Sequence, residues 1–218
     1  MKFFFPLFFS VFYFASCGPH HPGSSPGFDE TDFFRGKLRA DVKTSVATGG
    51  TDSFTTIKAL HHWLPGDEYM HTETDANKQD APRTAEENRN VVVTDLFIYG
   101  VKREDDNDFH LILASYGKTG KDQPYMTAEI SGLPDSSDPA FPALAAVRKK
   151  FEDHFGDDTK KEIVFVADRN HPPVHLVSIS GSLFFDNHHY GEHSSVQKYK
   201  VCTAWEIHPV TGIRFDDQ

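Results

Sequence analysis

The sequence predicts a mainly β domain of the α+β class, built from five strands and one long helix. Five segments in the second half of the chain have the apolar patterns of strands. One segment between the third and fourth of them has apolar residues at every third or fourth position, the period of an amphipathic helix. The predicted order is therefore three strands, a helix and two strands.

The first predicted strand begins at Val91 and contains Gly100. A glycine inside a strand often marks a bulge or a sharp bend. The later strands are predicted, in chain order, in DFHLILASYG from Asp108, PYMTAEISG from Pro124, HLVSISGSLFFD from His175 and VCTAWEIHPVTGIRF from Val201.

The helix is predicted to begin near Asp138, a suitable N-cap residue, with Pro139 at the first helical position. Gly156 is predicted to end it, because glycine commonly follows the last helical residue. The apolar stripe between these limits consists of Phe141, Leu144, Val147, Phe151 and Phe155.

Residues 28–90 form an N-terminal extension ahead of these elements. Lys37 to Val46 alternates between apolar and polar side chains, which predicts a half-buried strand. Ile57 to Leu64 has helical spacing and is followed by Pro65, so a short helix is predicted there. Asp67 to Asn90 shows no hydrophobic period and is predicted to be a long polar loop.

The order of strands and helix is that of the OB-fold, a five-stranded and partly open β-barrel. The first strand of such a barrel must serve both of its sheets, and a bend at Gly100 would allow this. We therefore predict an OB-like barrel over residues 91–218, with the order β-β-β-α-β-β. The alternative is a different mixed α+β sheet that includes the strand at Lys37 to Val46. OB barrels bind nucleic acids, saccharides and proteins alike, so the fold alone assigns no function.

The N-terminal residues have the composition of a secretion signal. Lys2 precedes an apolar run from Phe3 to Phe14, which is shorter than the about 20 residues that a membrane-spanning helix needs. The sequence from Phe14 to Cys17 resembles the lipobox of bacterial lipoproteins, in which the cysteine carries the lipid. We predict a signal peptide over residues 1–16, lipid attachment at Cys17 and a flexible tether over residues 17–27. The alternative is an ordinary cleaved signal that leaves Cys17 as a thiol.

This signal predicts an exported protein of the bacterial cell envelope, held on the membrane by its lipid. The chain has 22 lysine and arginine residues against 32 aspartate and glutamate residues, with a net charge of −10. Nucleic-acid binding usually needs a basic surface that neutralises phosphates. The charge therefore disfavours a nucleic-acid partner.

Four motifs in the predicted barrel together carry a resemblance to other proteins. They are DNDFHLIL from Asp106, TAEISG, ISGSLFFDNHH and AWEIHPV. Together they resemble a group of small secreted bacterial OB-like domains of uncharacterised function, marked by an Asp-x-Asp-x-His strand and an ending close to Glu-Leu-His-Pro-Val. The likeness covers about Val91 to Phe215. The chain has Asn107 where the group has a glycine-containing turn. The resemblance implies a fold and a set of shared polar positions, and it implies no reaction.

Several of these polar residues are candidate metal ligands. Asp108 and His110 are two residues apart on a strand and share a face, and Glu206 and His208 repeat this spacing. A third group follows the fourth strand. Carboxylates and imidazoles are ligands of zinc and manganese. If the groups meet, the candidate ligands are Asp108, His110, Asp186, His188 and His208.

The alternative for these residues is structural, and the sequence favours it. In this interpretation His208 is a barrel histidine whose ring is held by Glu206 or Asp108. The sequence contains no His-Glu-x-x-His motif and no phosphate-binding loop, and none of its predicted strands leads into a Gly-x-Ser-x-Gly elbow. The sequence therefore predicts no definite cofactor. It favours a binding role for the protein over a catalytic one.

The leading functional prediction is a lipid-anchored binding or accessory module for a protein or a saccharide. Its candidate ligand-binding residues are Tyr99, Tyr116, Tyr125 and Glu206. The competing prediction is a metal-dependent hydrolase that uses the Asp and His cluster. A nucleic-acid-binding OB domain is the third, disfavoured by charge.

Overall fold

The computed structural model describes residues 27–115, 124–191 and 194–216. The predicted signal peptide, Cys17, most of the tether and Tyr116 lie outside these residues. Within them, every helix is too short or too polar to cross a lipid bilayer.

The described residues form nine strands and four α-helices. The strands are β1 (Thr51–Phe54), β2 (Asn90–Arg103), β3 (Phe109–Ser115), β4 (Met126–Ile130), β5 (Ile163–Val166), β6 (Val174–Phe185), β7 (Ser195–Val196), β8 (Tyr199–Lys200) and β9 (Trp205–Phe215). The α-helices are α1 (Ala40–Lys43), α2 (Ile57–Trp63), α3 (Asp67–Glu73) and α4 (Phe141–Phe155). Short 3₁₀ helices lie at Asp75–Asn77, Gly156–Lys160 and Asn187–His189.

Five strands close into a barrel in which β2 pairs with β3, β3 with β4, β4 with β9, β9 with β6, and β6 with β2. All these pairings are antiparallel except that of β4 with β9, which is parallel and joins only Thr127 to Glu206 and Ala128 to Ile207. Helix α4 lies between β4 and β6 in the chain. The prediction of an OB-like α+β barrel with the order β-β-β-α-β-β is therefore confirmed.

The first barrel strand, β2, pairs with β6 through its first half and with β3 through its second half. Its register with β3 shifts between Ile98 and Gly100, as the predicted bend requires. A Cβ atom at position 100 would lie 2.8 Å from Cβ of Val196. Gly100 therefore serves both the bulge and the close approach of the β7–β8 hairpin.

Three parts of the fold were not predicted. β1 pairs in parallel with the start of β2, β5 pairs with the end of β2, and β7 pairs with β8 in a separate hairpin. The first two extend the sheet beyond the barrel, and the hairpin covers its outer surface.

The predicted strand at Lys37 to Val46 is wrong, because this segment forms the single-turn helix α1. The prediction treated its charged side chains as facing water. Arg39 is instead only 7% exposed, and its guanidinium donates to both carboxylate oxygens of Glu87 over 2.7 and 2.6 Å. The alternation of apolar and polar residues in this segment is typical of a half-exposed strand. A buried ion pair nevertheless holds the segment against the rest of the protein.

The short helix predicted over Ile57 to Leu64 is confirmed as α2. The predicted long polar loop after it is wrong, since it contains α3 with a fully buried Met70. Later in the same segment, the Arg83 guanidinium donates to the carbonyl oxygens of Val42 and Leu183. Hydrogen bonds of this kind order a polar segment without any hydrophobic period.

Helix α4 begins two residues after the predicted start. Asp138 caps the turn before the helix, where its Oδ1 accepts from the Ala140 N–H over 2.7 Å. Pro142 then occupies the first helical turn, and Gly156 ends the helix with a φ of 59°, as predicted.

The barrel interior is apolar, and residues such as Phe109, Leu111, Trp205 and Ile207 fill it. Successive side chains of a strand point to opposite faces. The residues that alternate with this core on β3, β4 and β9 therefore point to the outer face.

Arg148 of α4 is fully buried and joins four parts of the chain. Its Nη1 donates to the carbonyl oxygens of Asn107 over 2.9 Å and Ser131 over 3.3 Å. Its Nε lies 3.3 Å from Oδ1 of Asp32 and 3.1 Å from Oε1 of Glu152. The extension, the β2–β3 turn, the end of β4 and α4 are thereby tied together.

We expect Arg148→Met to lower the free energy of unfolding by about 3 kcal/mol, because two carboxylates would lose their buried partner. Lys149→Met is the matched control, since the neighbouring Lys149 is 67% exposed and pairs with an exposed Asp153. Its effect should stay below about 1 kcal/mol. Urea unfolding followed by circular dichroism measures both, and equal losses in the two variants would contradict the assignment.

Candidate functional site

A cluster of buried polar side chains lies on the outer face of β3, β4 and β9. His110 comes from β3, Glu129 from β4, and Glu206 and His208 from β9. Each of these residues is at most 4% exposed. Asp108, which immediately precedes β3, is fully buried beside them. The two predicted Asp-x-His and Glu-x-His pairs therefore meet.

The extension and the segment after β6 cover this cluster. Lys43 of α1 has a side chain that is 13% exposed, and its Nζ lies 3.7 Å from Oδ2 of Asp106. The carboxylates of Glu129, Asp108, Glu206 and Asp186 raise the pKa of Lys43 despite the opposing effect of burial. Lys43 is therefore the ammonium counter-charge of the cluster.

His208 lies between three carboxylates. Its Nδ1 is 2.8 Å from Glu129 Oε2 and 3.6 Å from Glu206 Oε2, and its Nε2 is 3.3 Å from Asp108 Oδ2. Burial opposes the imidazolium, yet the carboxylates, led by Glu129, hold the pKa of His208 well above its usual value. The predicted neighbours of His208, Asp108 and Glu206, are thus in place, and Glu129 is an additional one.

These close contacts are poorly aligned for hydrogen bonding. Asp108 Oδ2, Glu206 Oε2 and both ring nitrogens of His208 are buried and have no hydrogen-bond partner of acceptable geometry within the described residues. Buried polar atoms in native proteins are nearly always satisfied, by protein groups or by a bound water or ion. The His208 ring therefore has carboxylates at both of its edges, with Glu129 and Glu206 at Nδ1 and Asp108 at Nε2.

His110 is held at both ring nitrogens. Its Nδ1 lies 3.0 Å from Glu129 Oε1, and its Nε2 lies 2.8 Å from the Oγ of Ser194 and 3.5 Å from Oγ1 of Thr127. Burial opposes its charged form, but the bond to Glu129 leaves the pKa of His110 above its usual value. Glu129 thus holds one histidine on each carboxylate oxygen.

A second group of donors lies nearer the surface. His189 Nδ1 is 3.3 Å from Asp186 Oδ2 and 3.4 Å from Glu206 Oε1. The three ligand atoms all lie within 4.8 Å of one another, and the His189 side chain is 32% exposed. Zinc ligands lie about 2.1 Å from the ion, which places tetrahedral ligands about 3.4 Å apart. The observed spacing fits such an ion.

The carboxylates of the two groups have divergent pKa values. Burial raises the pKa of Asp108 to about 6 and also raises that of Asp186. Burial acts in the same direction on Glu129, but His208 and Lys43 outweigh it and hold its pKa well below the usual value. The hydrogen bond that the His189 ring donates to the Glu206 carboxylate raises the pKa of His189 to about 9.

An open cleft of about 260 Å³ gives access to the cluster. Lys43, His110, Glu129, Asp186 and His189 line it, together with residues 104–106. A neighbouring cleft of about 310 Å³ shares Lys43 and Asp186 and continues toward the 3₁₀ helix at residues 75–77. A solute can therefore reach the second donor group from solvent.

The predicted set of metal ligands is partly brought together. Asp108, His110 and His208 lie in the buried cluster, and Asp186 lies in the second group. His188 is exposed, and its neighbour His189 contacts Asp186 and Glu206 instead. Sequence reasoning missed Glu129 and Lys43 as well.

A signal for Glu129 was present in the sequence. It alternates with Ala128 and Ile130 in a predicted strand, and it lies directly opposite His110 in the sheet register. Lys43 had no such signal, because its segment was predicted as a strand.

Tyr99 and Tyr125, the predicted ligand-binding tyrosines that the structure describes, lie elsewhere. Tyr99 is 7% exposed and packs with Tyr125 and Tyr199, at ring-centroid distances of 5.2 Å to each. These rings belong to a small apolar cluster that includes Val196 and Val201. This cluster is a second core beneath the β7–β8 hairpin.

Comparison with protein-family models, with curated protein sequences and with solved structures gives no match for this chain. The function is therefore argued from the chemistry of the site.

Proposed function

We propose that this protein is an exported, lipid-anchored hydrolase that depends on a divalent cation. The observation that carries the proposal is the convergence of Asp186, His189 and Glu206 beside an open cleft, at the spacing of metal ligands. Two carboxylates and one imidazole suit zinc or manganese. Three protein ligands next to a cleft leave a coordination position for water or substrate, as catalytic metal sites do.

A bound cation would act as a Lewis acid and activate water for hydrolysis. The protein's own groups are placed to support this chemistry. His110, oriented by Glu129, lines the same cleft and can accept or return a proton at Nε2. Lys43 brings a positive charge to the cleft wall, where it can bind a negatively charged substrate oxygen.

The binding-module prediction remains a prediction. The buried position of Tyr99 and its packing with Tyr125 do not support an open aromatic groove at these residues. The polar cluster gives a more specific basis for function. For this reason the hydrolase, the competing prediction from the sequence, becomes the leading proposal.

Metal binding is tested by thermal melts of protein first treated with chelator and then given Zn²⁺ or Mn²⁺. We expect the cation to stabilise the wild type, by about 2.7 kcal/mol when the free cation exceeds its Kd by 100-fold. His189→Ala should abolish this gain, because it removes a ligand from the accessible group. His188→Ala, a change at the exposed neighbour, should preserve it. A gain that is the same in both variants would overturn the assignment.

The lipid anchor is proposed from the lipobox-like sequence ending at Cys17. We expect Cys17→Ser to release the protein from the membrane fraction or leave it unprocessed, while the barrel still folds. Cys202→Ser is the control and should remain at the membrane, since Cys202 is the exposed cysteine of the barrel. A Cys17→Ser protein that is trimmed and still membrane-bound would exclude lipidation at this residue.

A second candidate, a serine hydrolase, is favoured by one observation. Ser194 Oγ, His110 Nε2 and Nδ1, and Glu129 Oε1 form a chain of contacts of 2.8 and 3.0 Å. A nucleophile, a base and an orienting carboxylate in this order are the arrangement of a catalytic triad. In such a reaction Oγ would attack the ester carbonyl, its proton would pass through His110 to the departing alcohol, and the acyl group would remain on Oγ. Water would then attack this acyl ester and release the acid, with a proton returned through His110 to Oγ.

A fluorophosphonate probe distinguishes this candidate from the metal-dependent one. If Ser194 is the nucleophile, the probe should label it in the presence of chelator, with loss of fluoride, as seen by mass spectrometry. Ser194→Ala should abolish labelling, and Ser195→Ala, a change at the exposed neighbour, should preserve it. Absence of labelling in the wild type would exclude the serine mechanism.

A further inference from the structure

The ligand residues of the second donor group come from two separate parts of the chain. Asp186 and His189 lie at the 3₁₀ helix Asn187–His189, which follows β6, whereas Glu206 lies on β9. This helix is a single turn, and none of its residues is buried. It has no core contacts of its own to fix the direction of the His189 ring. The position of His189 relative to Glu206 must therefore be set by neighbouring elements.

Helix α3 contacts this turn through the side chain of His71. Its Nδ1 donates to Oδ1 of Asn187, the first residue of the turn, over 2.6 Å. The ring of His71 also stacks on Tyr190, the residue after the turn, with the centroids 4.0 Å apart and the planes 12° apart. The Tyr190 hydroxyl in turn donates to Glu68 of the same helix. One side chain of α3 thus holds the turn at its first residue and just beyond its last.

The same helix is fixed to the strand that carries Glu206. Asp67, the first residue of α3, accepts from the Thr203 hydroxyl over 2.6 Å and from the Ala204 N–H over 2.9 Å. Ala204 lies two residues before Glu206. Met70 of α3 is fully buried, so the helix is also packed into the core. Helix α3 therefore joins the two parts of the chain that supply the ligand residues.

We propose that His71 is a positioning residue for the cation site, and that it keeps His189 Nδ1 beside the two carboxylates of the second donor group. This inference rests on the proposed function, which supplies the cation. The Nδ1 of His71 is engaged with Asn187, so His71 acts on the cation through the turn. Residues that orient a metal ligand in this way typically contribute about 10- to 100-fold to metal affinity.

The physical basis is the population of molecules that are competent to bind. Without the bond from His71 to Asn187, the turn would spend part of its time with the His189 ring away from Glu206. The apparent Kd for the cation equals the intrinsic Kd divided by the competent fraction. A competent fraction of about one tenth would therefore raise the apparent Kd about tenfold.

Calorimetric titration of chelator-treated protein with Mn²⁺ tests the role of this bond. We expect His71→Phe, which keeps a ring beside Tyr190 but has no donor, to raise the Kd about tenfold. His71→Asn should recover most of the affinity, because its amide N–H can replace the Nδ1–H. The matched control is His62→Phe, a change at an exposed histidine of α2, and it should bind as the wild type does.

A double-mutant cycle separates positioning from a general loss of stability. Asn187→Ala removes the other partner of the same bond, so it should raise the Kd by about the factor seen in His71→Phe. The double variant should raise the Kd no further, because each change alone already removes the bond. Each chelated variant is titrated well below its own melting temperature. Asn187→Ala also provides a second variant if His71→Phe does not fold.

The outcomes distinguish this inference from the proposed function. A wild-type Kd in Asn187→Ala, with a lower melting temperature of the chelated protein, would give this contact a structural role only and overturn the positioning role. Independent, multiplying effects in the double variant, or an equal loss in His62→Phe, would overturn it too. The cation site would stand in each of these cases. Failure of the wild type to bind either Mn²⁺ or Zn²⁺ would overturn the proposed function together with this inference.

Discussion

The polar cluster on the outer face of the barrel depends on Glu129, whose carboxylate lies between two histidines. Its two oxygens hold His110 and His208, and all three side chains are removed from water. Buried charges are tolerated only when they are paired and hydrogen-bonded. A bare β-barrel cannot meet that condition on its outer surface. The extension does so, because it covers the cluster and brings Lys43 to it.

The extension is held on the barrel largely by arginine side chains. Arg39, Arg83 and Arg148 each donate to backbone carbonyl groups from distant parts of the chain, and Arg39 and Arg148 also pair with carboxylates. Planar guanidinium groups suit this task because they carry five donors in a fixed geometry. The extension and the barrel therefore share one network of buried polar contacts, and the extension is part of the structure that forms the site.

The sequence predicted the barrel well and the extension poorly, for a single physical reason. Period-two and period-3.6 patterns report which side chains are apolar, and the strands and α4 bury apolar faces. In the extension the buried side chains include Arg39 and Glu87, which such patterns assign to solvent. The residues of the candidate site were predicted only in part, for the same reason. The spacing of Asp108 with His110 and of Glu206 with His208 is local, whereas Lys43 reaches the cluster only through the tertiary fold.

The parallel pairing of β4 with β9 is the shortest strand pairing of the barrel, with two residue pairs. Glu206 belongs to that strand pairing and lies opposite Thr127. Glu206, which contacts His189 and His208, thus lies in the strand pairing of the barrel that has the fewest residue pairs. A cation bound at Glu206, as proposed, would favour the paired form of these strands by mass action, if it binds that form more tightly. The proposed cation would then stabilise closure of the barrel in addition to its part in the proposed chemistry.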